Sequence, residues 1–387
     1  MKKFIVIIFL CAVVLFLFLA PIFTPKDLPS LSAISPTIKA EGVLKDELSI
    51  SADKAILIDK ESGFVLFSKN ADTPCGMAST TKIMTAIIIL ENMTLEDKIA
   101  ITKESVGIEG SSIYLTEGEI FSAEDLLLGL LLESGNDAAC ALAIGMCKSI
   151  DKFVELMNDT AKRIGMTNTN FQNPHGLSSN SHYTTARDMA ILTAYAMNNE
   201  TFRKIVSTKK ATIKPLNNDI IRYCNNHNKL LGSFEGLTGV KTGYTKADGK
   251  CLVTSALKDG IELICVTLNS PDNWNDHKTL LSKGFEKAKK RTLAQVGEYA
   301  FEISVVGGTK THVIASNISE IILPLPKEEA IEFKVVTPSF VYAPIKKGDL
   351  IGEVRIYCSQ GLIYSFPLCS KTDIEVKKVS FFKKIFG

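Results

Sequence analysis

Three short stretches carry residues that could do chemistry together. They are Ser79-x-x-Lys82 in "GMASTTKIMTA", Ser134-Gly135-Asn136 in "LLLESGNDAA", and Lys241-Thr242-Gly243 in "GVKTGYT". The first is the most suggestive. Lys82 stands at the mouth of a run, Ile83 to Leu90, in which only Thr85 is polar. If that run is a helix starting near Ser79, its positive end faces the Ser79 hydroxyl, and Lys82 follows one turn later on the same face. Apolar surroundings disfavour an ammonium and lower its pKa. A neutral amine can take the proton of a serine hydroxyl, which would make Ser79 a nucleophile and Lys82 its base. The same tetrapeptide also fits a capping serine followed by a lysine that reaches out to solvent, so the pair alone decides nothing.

The elements that must position these residues can be read from the pattern around them. Residues 55–67 read as a hairpin turning at Ser62-Gly63. Residues 80–92 read as a helix apolar on nearly all sides, hence buried. Residues 122–132 read as a second helix, with Ser122 as its cap and acidic residues in its first turn. A third follows Asp137 to about Cys147, which leaves Ser134 to Asn136 in a short interhelical loop. Another begins near Thr185. Lys241 to Gly243 come just before two strands, 250–269, that turn at Lys258-Asp259-Gly260, and a helix near 275–290 closes the unit. From 295 to 374 the runs are short and β-rich, with Gly, Pro and Asn between them, as expected of a small all-β domain.

Bulk composition narrows the function classes. The chain has 387 residues, 46% of them hydrophobic, which suggests two domains or one large one with a sizeable core. With 44 basic and 42 acidic residues the net charge is +2, which gives no electrostatic case for nucleic acid. Lys2 and Lys3 precede an uncharged apolar run, Phe4 to Ala20, followed by Pro21 and Pro25. That order describes an export signal, cleaved or retained as an anchor, within a leader and linker spanning 1–40. Either fate puts the rest of the chain outside the cytoplasm. In the tail, 375–387, Val379, Phe382 and Phe386 share one helical face beside several lysines, the pattern of an interfacial helix on the outer face of the membrane. Most of the eight cysteines beyond Cys11 lie in apolar runs, where cysteine is a small core residue. There is no CxxC pair and the five histidines are scattered, so no metal site is expected.

Serine-x-x-lysine, serine-x-asparagine and lysine-threonine-glycine, in that order, make up the active-site set of penicillin-interacting serine enzymes. With "GSSIYLTEGE", "NPHGL", "HYTTARDMA" and "YAPIKKGDLIGEV" beside them, the chain resembles the D-alanyl-D-alanine carboxypeptidases, the low-molecular-weight penicillin-binding proteins, over roughly 45–375. The resemblance implies an α/β catalytic domain of the β-lactamase/transpeptidase type over 45–291, an antiparallel sheet flanked by helices, followed by the small all-β domain at 295–374. It implies no cofactor. It implies that Ser79 attacks the carbonyl between the two terminal D-alanines of a peptidoglycan stem peptide while Lys82 takes its proton. Ser134 would relay a proton to the leaving D-alanine and Asn136 would hold the substrate backbone. Lys241 would supply positive charge, Thr242 would bind the terminal carboxylate, and Gly243 would let the substrate lie close. The backbone of Ser79 and Tyr244 would form the oxyanion hole. β-Lactams would stall the enzyme as acyl adducts. His175 is read as structural. Family members often carry an arginine after the last strand of the sheet; "NSPDNWNDHK" here has none, which leaves endopeptidase activity open beside carboxypeptidase activity. The same motif set also fits a receptor that is acylated without turnover, and a β-lactamase.

Overall fold

The computed structural model describes residues 42–44 and 48–378. The expected leader and most of the tail, including Val379, Phe382 and Phe386, lie outside the described residues. Strands β1 (Lys54–Asp59) and β2 (Val65–Lys69) form the first hairpin. A 3-10 turn, Ala78–Thr81, leads into α1 (Lys82–Asn92). Short strands β3 (Lys98–Ala100) and β4 (Ile120–Ser122) precede helices α2 (Ala123–Leu132), α3 (Asn136–Cys147), α4 (Ile150–Ile164), α5 (Ala186–Ala196) and α6 (Glu200–Ser207). The hairpin of β5 (Lys210–Ile213) and β6 (Arg222–Asn225) follows. Then come β7 (Leu237–Thr245), β8 (Gly249–Lys258), β9 (Ile261–Leu268) and α7 (Asn273–Lys287).

Strands β2-β1-β9-β8-β7 form one antiparallel sheet in that order. Successive side chains of a strand point to opposite faces, and here both faces are buried. Ile56, Ile58, Ile264, Val266 and Val253 join one core with residues of α1 to α6. Ala55, Leu57, Leu263, Cys265 and Ala256 join a second core with Leu280 and Leu281 of α7. This explains the near-continuous apolar runs in β1, β8 and β9, where a half-exposed strand would alternate. Helix starts follow local chemistry. Ser122 Oγ accepts from the Asp125 backbone N–H at 3.1 Å, and Thr185 Oγ1 from that of Asp188 at 3.0 Å. His277 of α7 is fully buried between Thr254 of β8 and Thr267 of β9, at 2.8 and 2.9 Å, and fixes that helix to the sheet.

The C-terminal unit contains β10 (Lys289–Ala294), β11 (Ala300–Val306), β12 (His312–Ser316), β13 (Ile321–Leu325), β14 (Glu332–Val336), β15 (Phe340–Tyr342), β16 (Leu350–Cys358) and β17 (Gly361–Ser370). β10 pairs with β13, and the other six form a mixed sheet. It begins at Lys289, earlier than the expected 295. Its core is not separate: Val313, Leu323, Phe366 and Leu368 are continuous with the α7 side of the catalytic sheet. At the tip of the β16–β17 hairpin, the Gln360 amide donates to the Val65 carbonyl and accepts from the Val65 N–H, both at 2.8 Å. All eight described cysteines are free, and Cys140, Cys224, Cys251, Cys265 and Cys369 are buried, in keeping with the packing role expected of them. Among the described residues no helix is long and apolar enough to cross a membrane, and no group of side chains could hold a metal ion.

The β1–β2 turn carries a buried acid. Asp59 Oδ1 accepts from the Ser62 N–H and hydroxyl at 2.8 and 2.7 Å, while Oδ2 is buried without a partner. Burial outweighs the Ser62 hydrogen bonds and pushes the carboxyl from its ordinary 3.8 up to about 7. The folded protein therefore holds this proton more tightly than the unfolded chain. The resulting stabilisation is complete below the ordinary value and is lost as pH rises through about 7. Asp59→Asn keeps an acceptor for Ser62 and removes the titration. Its Tm relative to the parent is expected to rise between pH 5 and pH 8, by at most a few kcal/mol in stability. A Tm difference independent of pH would contradict this account.

Candidate active site

The site forms where the entry to α1, the α2–α3 loop, the 173–178 loop and β7 meet. Ser79 lies in the 3-10 turn, half-buried. Lys82, first residue of α1, is completely buried, as are Ile83 to Ile89 behind it. Lys82 Nζ lies 3.0 Å from Ser79 Oγ, 2.6 Å from Asn136 Oδ1 and 2.6 Å from the His175 carbonyl oxygen. The Asn136 amide is oriented by its other end, since Nδ2 donates to the Glu109 carbonyl at 2.5 Å. Oδ1 must therefore face the lysine.

Burial is the main reason the Lys82 amine is held well below its usual pKa. The charge of Lys241 adds to it, and Asp137 opposes it weakly. A neutral amine has two N–H donors and one lone pair. Asn136 Oδ1 and the His175 carbonyl take the two donors, which leaves the lone pair for the Ser79 hydroxyl proton. The arrangement is thus poised for proton abstraction. Lys241 is also fully enclosed, with Nζ donating to the Thr242 carbonyl at 2.9 Å. Burial lowers its pKa to about 7, against a weak opposing pull from Glu133.

The sequence pattern puts the lysine-threonine-glycine triplet just ahead of a strand; in the structure it lies within one. Lys241, Thr242, Gly243 and Tyr244 all belong to β7, the edge strand of the sheet. Gly239 and Gly243 interrupt its apolar pattern and hide the strand. At Gly243 the reason is close approach. A Cβ there would stand 3.0 Å from the Ser79 backbone nitrogen and 3.1 Å from Ala78 Cβ, so a side chain would press the Ser79 turn away from the sheet. Thr242 is half-buried, and Tyr244 is 64% exposed.

Ser134 is buried in the left-handed backbone region, φ 63°, in the turn between α2 and α3. Asn136 opens α3, where the sequence suggests the end of a loop. No hydrogen bond joins the Ser134 hydroxyl to Ser79 or Lys82 among the described residues. The structure thus brings Ser79, Lys82 and Asn136 into direct contact, with Gly243 against the Ser79 turn and Lys241 close enough to Lys82 to depress its pKa. Ser134 is carried beside them by the chain.

Two contributors escape the sequence pattern. The first is the His175 carbonyl. The ring of this residue is structural, as expected, with Nδ1 accepting from the Leu177 N–H at 3.2 Å; its backbone oxygen nonetheless holds the amine. The second is Asp137. Its carboxylate, 1% exposed, accepts from Ser112 Oγ at 2.6 Å and from the backbone N–H groups of Ile113 and Leu115 at 3.1 Å. It thereby fixes the 109–115 loop, whose Glu109 and Ser111 carbonyls accept from the Asn136 side chain and backbone. An acid next to the serine-x-asparagine triplet was the available signal.

Comparison with known proteins identifies the family. Residues 40–272 match the D-alanyl-D-alanine carboxypeptidase family and residues 289–376 match the penicillin-binding protein 5 C-terminal domain. The chain is 31% identical over 368 residues to the D-alanyl-D-alanine carboxypeptidase DacF of Bacillus subtilis (strain 168), covering 92% of this chain and 94% of that one. It is 31% identical over 358 residues to DacC of Escherichia coli (strain K12), covering 88% of each. The crystal structure of penicillin binding protein 5 from Haemophilus influenzae superposes with a TM-score of 0.70 at 30% identity, covering 85% of this chain and 98% of that one. With family models matched over both parts of the chain, relatives of 31% identity and a shared fold, the chain belongs to the D-alanyl-D-alanine carboxypeptidase family and is a carboxypeptidase with the transpeptidase fold.

Proposed function

We propose that this protein is an exported serine carboxypeptidase that removes the terminal D-alanine from peptidoglycan stem peptides through an acyl-enzyme on Ser79, and that β-lactams inhibit it by forming a slowly hydrolysed version of that adduct. The observation that carries the reading is the 3.0 Å approach of a fully buried amine, Lys82 Nζ, to Ser79 Oγ. Export rests on the leader pattern, and attachment to the outer face of the membrane on the tail pattern.

In this reading Lys82 accepts the Ser79 proton as Oγ bonds to the penultimate D-alanine carbonyl carbon. The carbonyl electrons move onto oxygen, between the backbone N–H groups of Ser79 and Tyr244. The intermediate then collapses, the C–N bond breaks, and the departing D-alanine nitrogen takes a proton by way of Ser134. Asn136 holds the substrate backbone, and Lys241 with Thr242 receives the terminal carboxylate. A water molecule gives a proton back through Lys82, attacks the ester and frees the shortened peptide and Ser79. No carboxylate hydrogen-bonds Ser79 or Lys82 among the described residues, so Lys82 is the base in both halves.

Incubating the purified protein with a peptide ending in D-Ala-D-Ala is expected to release free D-alanine. Ser79→Ala should lower that release at least about a thousandfold and abolish the mass increase produced by a penicillin. Penicillin labelling with no peptide turnover would instead identify a receptor. Rapid destruction of penicillin would identify a β-lactamase.

The two lysines predict the pH profile. Burial holds Lys82 well below its ordinary pKa and favours its neutral, basic form. Lys241 carries its charge below about 7 and loses it above, so attraction for the substrate carboxylate fades as pH rises. The profile of kcat/KM, which reports the free enzyme, is expected to fall above about pH 7. In Lys241→Arg, whose guanidinium stays charged, the fall should move to higher pH even if the overall rate is lower. An unchanged profile would remove Lys241 from carboxylate binding.

A further inference from the structure

The residue before the nucleophile is strained. Ala78 has φ 46°, in the left-handed region that non-glycine residues avoid. It also opens the 3-10 turn that carries Ser79, and the first N–H groups of such a turn have no partner within it. The preceding residue, Met77, supplies no side-chain cap. The partner comes instead from 170 residues away: the Asp248 carboxylate accepts the Ala78 N–H at 3.0 Å.

Asp248 is itself held in place. The same oxygen accepts from the Ser178 hydroxyl at 2.9 Å, that hydroxyl lies 2.8 Å from Thr245 Oγ1, and Thr245 Oγ1 accepts the Asp248 backbone N–H at 2.9 Å. The approach requires Gly76, because a Cβ there would stand 2.0 Å from Asp248 Oδ1. The other end of Ala78 is secured as well, its carbonyl accepting from Thr81 Oγ1 at 2.8 Å. The β7–β8 turn, the 173–178 loop and the nucleophile turn therefore meet at one carboxylate.

The geometry points to Asp248 as a positioning residue for the nucleophile: by holding the Ala78 N–H it keeps Ala78 left-handed, which aims the Ser79 N–H and hydroxyl at the reacting carbonyl. Asp248 touches neither substrate nor Ser79 in this role. The inference rests on the acyl-enzyme reading above and adds to it a residue outside the three motifs.

The test compares Asp248→Ala, Asp248→Asn and Asp248→Ala with Ala78→Gly, using a penicillin as acylating probe and the parent and Ser79→Ala in parallel. Asp248→Ala is expected to slow the acylation rate constant about ten- to hundredfold, the worth of one hydrogen bond to a charged acceptor. The preceding non-covalent binding step should change much less. Asp248→Asn, which keeps an acceptor oxygen, should lose less. Glycine takes positive φ without penalty, so Ala78→Gly should restore most of the rate lost in Asp248→Ala. Acylation of Asp248→Ala within threefold of the parent would overturn the proposal. So would a loss that Ala78→Gly does not recover. Amide hydrogen exchange of the peptide containing Ala78 gives a readout independent of chemistry: faster exchange in Asp248→Ala supports the proposal and unchanged exchange overturns it. If the parent itself is not acylated, the proposed function fails, and the exchange result still decides the role of Asp248.

Discussion

The site depends on keeping an amine dry. Lys82 sits at the end of a helix whose next seven residues are buried, and its Nζ is enclosed with it. An ammonium there would lose its hydration, and the nearby Lys241 charge adds to the penalty. The neutral form avoids both costs but still has two N–H groups that need acceptors. Asn136 and the His175 carbonyl meet that need, and each belongs to a different stretch of chain. Assembly of the site is therefore a condition for burying the lysine, and burial is what favours its neutral amine, the form the proposed mechanism needs. The chemistry and the local packing impose the same constraint.

The sheet explains why such an arrangement holds its shape. Its central strands are covered on both faces, so a one-residue slip of the β7–β8 ladder would move each inward side chain out of one packed core and into the other, and the two cores hold the register. Gly243 then lets the Ser79 turn lie directly against β7. On the opposite face, α7 and the C-terminal sheet complete a single apolar layer. The C-terminal unit is thus part of what supports the catalytic sheet, although its composition reads as an independent domain.

Much of this is legible locally. The Ser122 and Thr185 caps, the β1–β2 and β8–β9 hairpins and helix α1 are readable because neighbouring residues specify them. The three motifs point to the site because their order is distinctive. Helices α4 and α6 are not among the segments read from the sequence above, although both are strongly amphipathic and Phe153, Met157, Ala161 and Ile164 carry the helical period of α4. Strand β7 is hidden by the glycines and the buried lysine that suit it to the site. Strand β15 is only three residues long, Pro324 interrupts β13, and the three basic residues that open β10 mask its strand character. The contributions of the His175 carbonyl and the Asp137 carboxylate depend on contacts made across the fold, which one-dimensional spacing does not encode.

The catalytic sheet has two borders, and they are treated oppositely. On β2 the Gln360 amide occupies the N–H and carbonyl of Val65, as a neighbouring strand would. On β7 no further strand is added among the described residues. An uncovered border invites any extended polypeptide to add itself. The C-terminal hairpin thus stoppers the β2 border at Val65, and the border left for an extended chain is the one beside Ser79.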